Sequence, residues 1–246
     1  MTGAAKSDPL RVCLWSGPRN VSTALMYSFA ERPDTLVVDE PLYGHYLRVS
    51  GANHPGRDDV VAAMDTDGNR VMRDLLAREL PAGKSVLFLK QMAHHLTALD
   101  TDFMSQTANV FLIRDPKDML PSLTIQIPDA TLKDIGLETQ WRLFERLEAE
   151  GEAPTIVDSR LLLLSPTSIL EKLCVRLGLA FEANMLSWRA GPREQDGVWA
   201  KHWYHAVHKS TGFQAYRPKS EFPAELLPLL EDCAPYYEKL YQHALR

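Results

Sequence analysis

The sequence predicts an α/β fold in which a parallel central sheet is flanked by helices, as a three-layer sandwich. Short apolar runs alternate with segments whose apolar residues recur at helical spacing, and this alternation is typical of a parallel sheet covered by helices. The predicted strands are residues 11–16, 36–39, 85–90, 109–114 and 154–158. The predicted helices are residues 21–31, 116–126, 132–150, 167–177 and 225–245.

Composition and charge narrow the class of protein. With 246 residues and 45% hydrophobic content, the chain is long enough for one domain spanning residues 1–246. A net charge of −5 argues against binding of nucleic acid, and no run of apolar residues is long enough for a membrane span. The three cysteines are widely separated, which favours a reducing, cytoplasmic location. Residues 50–69, rich in Gly, Pro, Asp and Asn, are predicted to form a surface loop.

Polar residues follow the predicted strands. In a sheet of this kind the ligand lies beyond the carboxyl ends of the strands. The residues found there are Ser16 to Asn20 after the first strand, Glu40 after the second, His94 and His95 after the third, and Arg114 with Asp115 at the fourth. We therefore expect the functional site to lie along this edge.

The segment after the first predicted strand passes through a turn into a helix-forming run. A helix that begins there directs unpaired N–H groups outward, which favours an anion. Arg19 adds a guanidinium, and Ser22 and Thr23 add hydroxyl donors. The alternative is an ordinary turn at Gly17 and Pro18 followed by a simple helix cap. From this loop alone, both interpretations stand.

A family resemblance favours the first interpretation. The loop lacks the Gly-Lys-Ser/Thr ending of a Walker A motif, which disfavours a metal-assisted NTPase. It resembles the sulfotransferase loop that holds the 5′-phosphosulfate, although Asn20 and Val21 replace the usual Ser and Gly. The resemblance, to a divergent bacterial-type member, implies that the loop binds the donor and that Arg19 also assists transfer. The implied donor-binding residues are Gly17, Pro18, Arg19, Asn20, Val21, Ser22 and Thr23.

The fourth predicted strand ends in a second motif. Val110 to Ile113 are apolar, Arg114-Asp115-Pro116 follows, and Ser122 lies eight positions after Arg114. This pattern resembles the sulfotransferase element that binds the 3′-phosphate of the donor. An Arg at a strand end and a hydroxyl two helical turns later can hold one phosphate from two sides. The alternative is a surface pairing of Arg114 with Asp115.

Sulfuryl transfer removes a proton from the acceptor, so a general base is expected near the phosphosulfate. Glu40 is the first candidate, because some sulfotransferases carry a base Glu about twenty residues beyond the basic residue of the loop, as Glu40 lies from Arg19. The alternative is a solvated carboxylate in a turn. His94 and His95 follow Lys90 in the region of the Lys-x-His base of cytosolic sulfotransferases, but with different spacing. A hydrogen-bonded structural role is favoured for each His, and Lys90 is predicted to stabilise the bridging oxygen.

The C-terminal third resembles the family more weakly. Residues 191–203 combine Gly, basic residues and Trp, as does the loop that closes over the 3′-phosphate, and Lys201 is its candidate ligand. The aromatic residue that stacks on adenine in many members corresponds to Ser159.

The expected function is transfer of a sulfuryl group from 3′-phosphoadenosine 5′-phosphosulfate (PAPS) to a hydroxyl or amine of a small-molecule acceptor. The product nucleotide is then 3′-phosphoadenosine 5′-phosphate (PAP), and no metal is expected to take part. The alternatives are a P-loop-type kinase or phosphotransferase, and a non-catalytic nucleotide-binding protein of the same fold. The sequence predicts neither the acceptor nor an oligomeric state.

Overall fold

A computed structural model describes residues 8–218 and 221–246. The strands are β1 (Leu10–Ser16), β2 (Thr35–Asp39), β3 (Val86–Met92), β4 (Ala108–Ile113) and β5 (Thr155–Asp158). They form one parallel sheet in the order β2-β3-β1-β4-β5. The predicted fold class, a parallel sheet flanked by helices, is therefore confirmed.

Helices connect and cover the strands. They are α1 (Ser22–Ala30), α2 (Tyr43–Ser50), α3 (Arg57–Ala63), α4 (Gly68–Ala77), α5 (Pro116–Leu123), α6 (Leu132–Ile135), α7 (Leu137–Ala149), α8 (Ser159–Leu164), α9 (Pro166–Arg176), α10 (Ala200–Trp203) and α11 (Leu227–Gln242). Short 3₁₀ segments lie at Ala93–Leu96, Asp102–Gln106, Ala183–Leu186, Val207–Lys209 and Ala224–Leu226. None of the helices in the described ranges is long and apolar enough to cross a bilayer.

The sheet has a hydrophobic core on each face. Side chains alternate along β1, so that Val12 and Leu14 join one core while Cys13 and Trp15 join the other. Helices α1 and α9 pack on the first face, and α5, α7 and α11 pack on the second. Because β1 is buried on both sides, its apolar run is continuous rather than alternating.

Two predictions of local structure were wrong. The predicted helix 132–150 is divided into α6 and α7 at Gly136, whose φ of +79° lies in the left-handed region. The predicted surface loop 50–69 contains α3 and the first residues of α4. Helix α3 buries only Val60, which packs against Tyr43 and Tyr46, so its stability comes from tertiary contacts rather than from a long apolar stripe.

The outer edge of β5 is paired. The backbone N–H of Leu245 donates to the carbonyl of Ile156 at 2.9 Å, and Ala244 forms a parallel bridge with Ile156. The residues after α11 thus pair with this strand at Ile156, on the side away from β4.

Candidate active site

A cavity of about 750 Å³ opens at the carboxyl ends of the strands. Ser16, the last residue of β1, is in register with Met92 of β3 and Leu112 of β4, so the segments that follow these strands meet. The sequence-predicted residues that line the cavity are Gly17, Pro18, Arg19, Asn20, Val21, Ser22, Thr23, Glu40, Lys90, His94, His95, Arg114 and Ser122. The sheet topology thus brings residues from four strand ends to one cavity.

The loop between β1 and α1 presents backbone donors to this cavity. Asn20 fixes it by donating from Nδ2 to the Leu112 carbonyl at 3.0 Å and accepting from the Val21 N–H at 2.8 Å. Among residues 8–218 and 221–246 no side chain caps α1. Its first turn holds no acidic residue, and its first internal bond runs from Leu25 N–H to the Val21 carbonyl. The N–H groups of residues 22–24 are therefore available to an anion.

The same loop is held tightly against the rest of the protein. A Cβ on Gly17 would lie 2.5 Å from the carbonyl oxygen of Ile135 at the end of α6, so this position requires glycine. Arg19 has φ of +52°, which is rare outside glycine. Strained residues of this kind persist where the surrounding structure holds them, often at functional sites.

Two guanidinium groups share this part of the cavity without a carboxylate partner. Arg114 donates from Nη1 to the carbonyl of Arg19 at 2.6 Å, and within residues 8–218 and 221–246 neither arginine has an acidic side chain within 4.0 Å. Burial lowers the pKa of both arginines, and the charge of Arg19 further lowers the pKa of Arg114, against an opposite influence from Asp118. Ser122 lies beside them and donates to the Met119 carbonyl at 2.9 Å. This arrangement favours a bound anion.

A buried polar network lies at the ends of β2 and β3. The Lys90 ammonium donates to Glu40 and to the hydroxyl of Tyr204 at 2.9 Å, and it lies 3.2 Å from Asp39. Tyr204 in turn donates to Asp39 at 2.7 Å and accepts from Trp199 Nε1 at 3.2 Å. Glu40 has φ of +39°, again in the left-handed region.

Charge in this network favours Glu40 as a proton acceptor. Two carboxylates, of Asp39 and Glu40, share the single cation of Lys90. Burial, opposed by Lys90 and reinforced by Asp39, raises the pKa of Glu40. A general base works best when its pKa lies near the operating pH, so the shift is in the useful direction.

Lys90 makes two hydrogen bonds and one further ion pair. Its ammonium donates to Glu40 and Tyr204, whereas Asp39 Oδ1, 3.2 Å away, accepts no hydrogen bond among the described residues. An ammonium group has three donors, so one proton of Lys90 is not committed to a hydrogen bond. Burial lowers its pKa, but the two carboxylates outweigh burial and raise it, so the group stays charged. Lys90 is therefore a partner of Glu40, and its predicted contact with a bridging oxygen stays a prediction.

His94 and His95 lie in the 3₁₀ segment Ala93–Leu96 and are buried. The ring of His95 stacks on Tyr43 at 5.0 Å and on Tyr46 at 4.8 Å between centroids, while His94 packs edge-on against Tyr46 at 4.9 Å. Burial lowers the pKa of His94 to about 3 and that of His95 well below its ordinary range. These weak bases form part of the cavity wall. The sequence favours a hydrogen-bonded structural role for each His, whereas Nδ1 of each ring is buried without a hydrogen-bond partner among the described residues, so packing between rings holds them instead.

Lys201 lies apart from the other predicted residues. Its side chain is exposed, pairs with Asp59 at 2.7 Å and does not line the cavity, because α10 directs it toward α3. Ser159, the first residue of α8, is buried and also lies outside the cavity. Two residues that the sequence did not predict line the cavity instead. They are Tyr216 and Arg217, in the segment after Gly212. Neither stands in a recognisable motif.

Comparison with known proteins identifies a family for the chain. The model of a sulfotransferase domain family matches residues 10–244. Two Arabidopsis thaliana proteins, the branched-chain-amino-acid aminotransferase-like proteins 2 and 1, are each 38% identical to the chain, over 231 and 240 residues. The matches cover 93% and 96% of this chain but only 41% and 42% of those proteins. The chain thus spans less than half the length of these relatives.

Solved structures share the fold. A sulfotransferase from Alicyclobacillus acidocaldarius superposes with a TM-score of 0.55 at 11% identity, covering 97% of this chain and 98% of that one. The sulfotransferase domain of the Synechococcus PCC 7002 olefin synthase gives a TM-score of 0.51 at 18% identity, covering 94% and 97%. The similarity to these solved structures concerns the fold alone. The match to the family model covers nearly the whole sequence. The chain therefore belongs to the sulfotransferase domain family.

Proposed function

We propose that this protein transfers a sulfuryl group from PAPS to a hydroxyl or amine of a small-molecule acceptor. The observation that carries the proposal is the pairing, in one cavity, of two carboxylate-free guanidiniums with a buried carboxylate of raised pKa. The first feature suits a donor with several negative charges, and the second suits removal of a proton from the acceptor.

We call the part of the cavity around the start of α1, Arg19 and Arg114 the donor half, because its hydrogen-bond donors and cations suit PAPS. The N–H groups at the start of α1, with Ser22 and Thr23, bind the 5′-phosphosulfate. Arg19 lies in the same loop and neutralises the charge that develops on the departing phosphate. Arg114 and Ser122 bind the 3′-phosphate, and Arg217 adds a further cation at the cavity wall. The three arginines match a ligand that carries charge at both ends of its nucleoside.

The acceptor half centres on Glu40. Its carboxylate takes the proton as the acceptor oxygen or nitrogen forms a bond to sulfur, and the sulfur–oxygen bond to the phosphate of PAPS breaks, leaving the electron pair on PAP. Lys90 and Asp39 hold Glu40 in place through the buried network. The residues thus divide into donor-binding, proton-accepting and positioning groups.

Nucleotide binding tests the donor assignment. We expect PAP to raise the melting temperature more than AMP or ATP with Mg²⁺, because a ligand that binds only the folded state stabilises it by mass action. Calorimetric titration of Arg114→Ala should show that PAP binding loses about 1.5–3 kcal/mol, the contribution of a charged hydrogen bond, while AMP binding is almost unchanged. Arg142→Ala is the matched control, because Arg142 is exposed, pairs with Glu138 and does not line the cavity.

The outcomes separate the candidate functions. Preferential stabilisation by ATP with Mg²⁺ supports the kinase alternative and contradicts our proposal. Equal losses of PAP and AMP affinity in Arg114→Ala would show that Arg114 does not bind the 3′-phosphate. PAP binding without any conversion of PAPS, across acceptors of different charge, supports the non-catalytic alternative.

A further inference from the structure

The cavity wall near Glu40 is built mainly of rings. We call it the aromatic wall, and its residues are Tyr43, Tyr46, His54, His94, His95, Trp199 and Trp203. The rings contact one another: Tyr43 lies 5.2 Å from Trp199 and His54 lies 6.0 Å from Trp203, measured between centroids. The hydroxyl of Tyr43 also forms a hydrogen bond with His54 Nδ1 at 3.0 Å. The contacts order these side chains before any ligand binds.

The imidazoles of the aromatic wall are uncharged at neutral pH. Burial is the main influence that lowers the pKa of His54, His94 and His95. Lys90, which is charged and lies nearby, already pairs with the carboxylates of Asp39 and Glu40. The described residues therefore offer no unmatched positive charge at this wall.

A carboxylate lies beside the rings. Asp134 lines the cavity, accepts at Oδ2 from the N–H of Thr131 at 2.8 Å and from its hydroxyl at 2.7 Å, and among the described residues has no Lys or Arg within 4.0 Å. Burial is the larger influence on Tyr46, His54 and His94; it raises the pKa of Tyr46 and lowers the pKa of both histidines. The charge of Asp134 adds to the rise for Tyr46 and opposes the lowering for His54 and His94. Its negative potential thus reaches the aromatic wall.

The two halves of the cavity consequently have opposite polarity. Arg19, Arg114 and Arg217 make the donor half positive, whereas Asp134 and the faces of aromatic rings make the acceptor half negative. Aromatic faces attract cations, and the attraction is larger when the cation is desolvated. An acidic acceptor would meet Asp134 without a cation to offset it.

We propose that the acceptor is a small alcohol carrying a cationic nitrogen, either quaternary or protonated. Its nitrogen binds between the aromatic wall and Asp134, and its hydroxyl is directed toward Glu40. This inference rests on the proposed sulfuryl transfer, in which the hydroxyl proton passes to Glu40, oxygen bonds to sulfur and PAP departs. It adds the charge of the acceptor to that proposal.

A pair of probes that differ only in charge tests the inference. Choline and 3,3-dimethyl-1-butanol have nearly the same shape, but only choline carries a positive charge. We expect calorimetric titration, with and without PAP, to show about tenfold or greater preference for choline. In Asp134→Asn, which retains an oxygen for the Thr131 contacts, this preference should fall by about tenfold. Asp129→Asn is the matched control, because Asp129 is exposed and does not line the cavity.

Equal affinity for the two probes in the unaltered protein, or no binding of choline, overturns the inference. The inference is also overturned if Asp134→Asn prefers choline as strongly as the unaltered protein does, when the Asp134→Asn and Asp129→Asn variants have the same melting temperature. Trp203→Leu gives a second measurement, because removal of a ring should weaken choline more than the neutral probe. PAP titration in the same series reports on the proposed function separately: failure of PAP to bind contradicts the transfer reaction even where choline is preferred.

Discussion

Glu40 combines features that seldom occur together in one residue. It is buried, it has a left-handed backbone conformation, and it shares the ammonium of Lys90 with Asp39. The left-handed conformation of a residue other than glycine costs about 1–3 kcal/mol. The network that holds Lys90 supplies contacts that keep Glu40 in this position.

Glu40→Gln should retain PAP binding and lose most turnover. The amide preserves the shape of the side chain but cannot accept a proton at neutral pH, and loss of a general base reduces rates by about 10²–10⁴-fold. Single-turnover conversion of PAPS to PAP, with an acceptor that the unaltered protein uses, measures the effect.

His94→Asn provides the contrast, because His94 lines the same cavity with a pKa of about 3. A near-normal rate for Glu40→Gln together with a collapsed rate for His94→Asn would transfer the role of base to the histidine. Loss of PAP binding in Glu40→Gln would instead make the carboxylate part of the scaffold of the donor half.

At the scale of elements, the loop between β1 and α1 depends on a close approach to α6. Gly17→Ala would place a methyl group against the Ile135 carbonyl and force the loop and helix apart. Overpacking of this kind costs about 1–3 kcal/mol. We expect a lower melting temperature and weaker PAP binding, both measurable with the purified protein.

Gly83→Ala separates loop displacement from general destabilisation. Gly83 has φ of +83°, and a Cβ added there would have no neighbouring atom within 4 Å, so alanine strains the backbone without touching another residue. Both variants should lose stability, but only Gly17→Ala should lose PAP affinity. A similar loss of affinity in both variants would contradict the role of the contact with α6.

The elements differ in how far the sequence predicts them. All five strands are predictable because short apolar runs are distinctive, both in the strands that are buried almost throughout, such as β3, and in β2, whose apolar residues are partly exposed. Helix α3 is not, because seven residues with one buried side chain carry little periodic signal and its neighbours in space are distant in sequence. The sequence predicts a continuous helix through Gly136 because the pattern on either side is helical, whereas the left-handed φ of Gly136 depends on packing near Ala93.

The residues of the site also differ in how far the sequence predicts them. Arg19, Glu40 and Arg114 are predictable because each closely follows a strand, where a parallel sheet places its ligands. Asp134, Tyr204 and Arg217 are not, because they reach the cavity through loops and short helices whose positions depend on tertiary contacts. The prediction for Lys201 depends on the composition of its segment alone, and α10 directs this side chain outward.

For the whole molecule, buried histidines should make stability depend on pH. The ordinary pKa of histidine is about 6.5, whereas burial lowers the pKa of His94 to about 3. Below about pH 6.5 the unfolded chain binds a proton that the folded chain excludes, so stability is present above that pH and is lost as pH falls toward about 3. The contribution of His94 amounts to about 1.4 kcal/mol for each unit of pH within that window.

Denaturant unfolding between about pH 6.5 and pH 4 measures this slope. His94→Gln should show a shallower decline than the unaltered protein, whatever its stability at neutral pH. His205→Gln is the control, because His205 is exposed. The raised pKa of Glu40 acts in the opposite direction but is common to all three proteins. Identical slopes for His94→Gln and the unaltered protein would show that His94 does not exclude the proton.

The bond between Leu245 and Ile156 has a consequence for self-association. An unpaired outer strand is a template on which a second chain can add by β-sheet extension. Ala244 and Leu245 occupy that position beside Ile156, so at this residue the edge of β5 is already taken. Removal of these two residues would free the Ile156 carbonyl for a strand of another molecule and would also withdraw Ala244 and Leu245 from the two cores, so we expect self-association, measured by light scattering, together with a lower melting temperature.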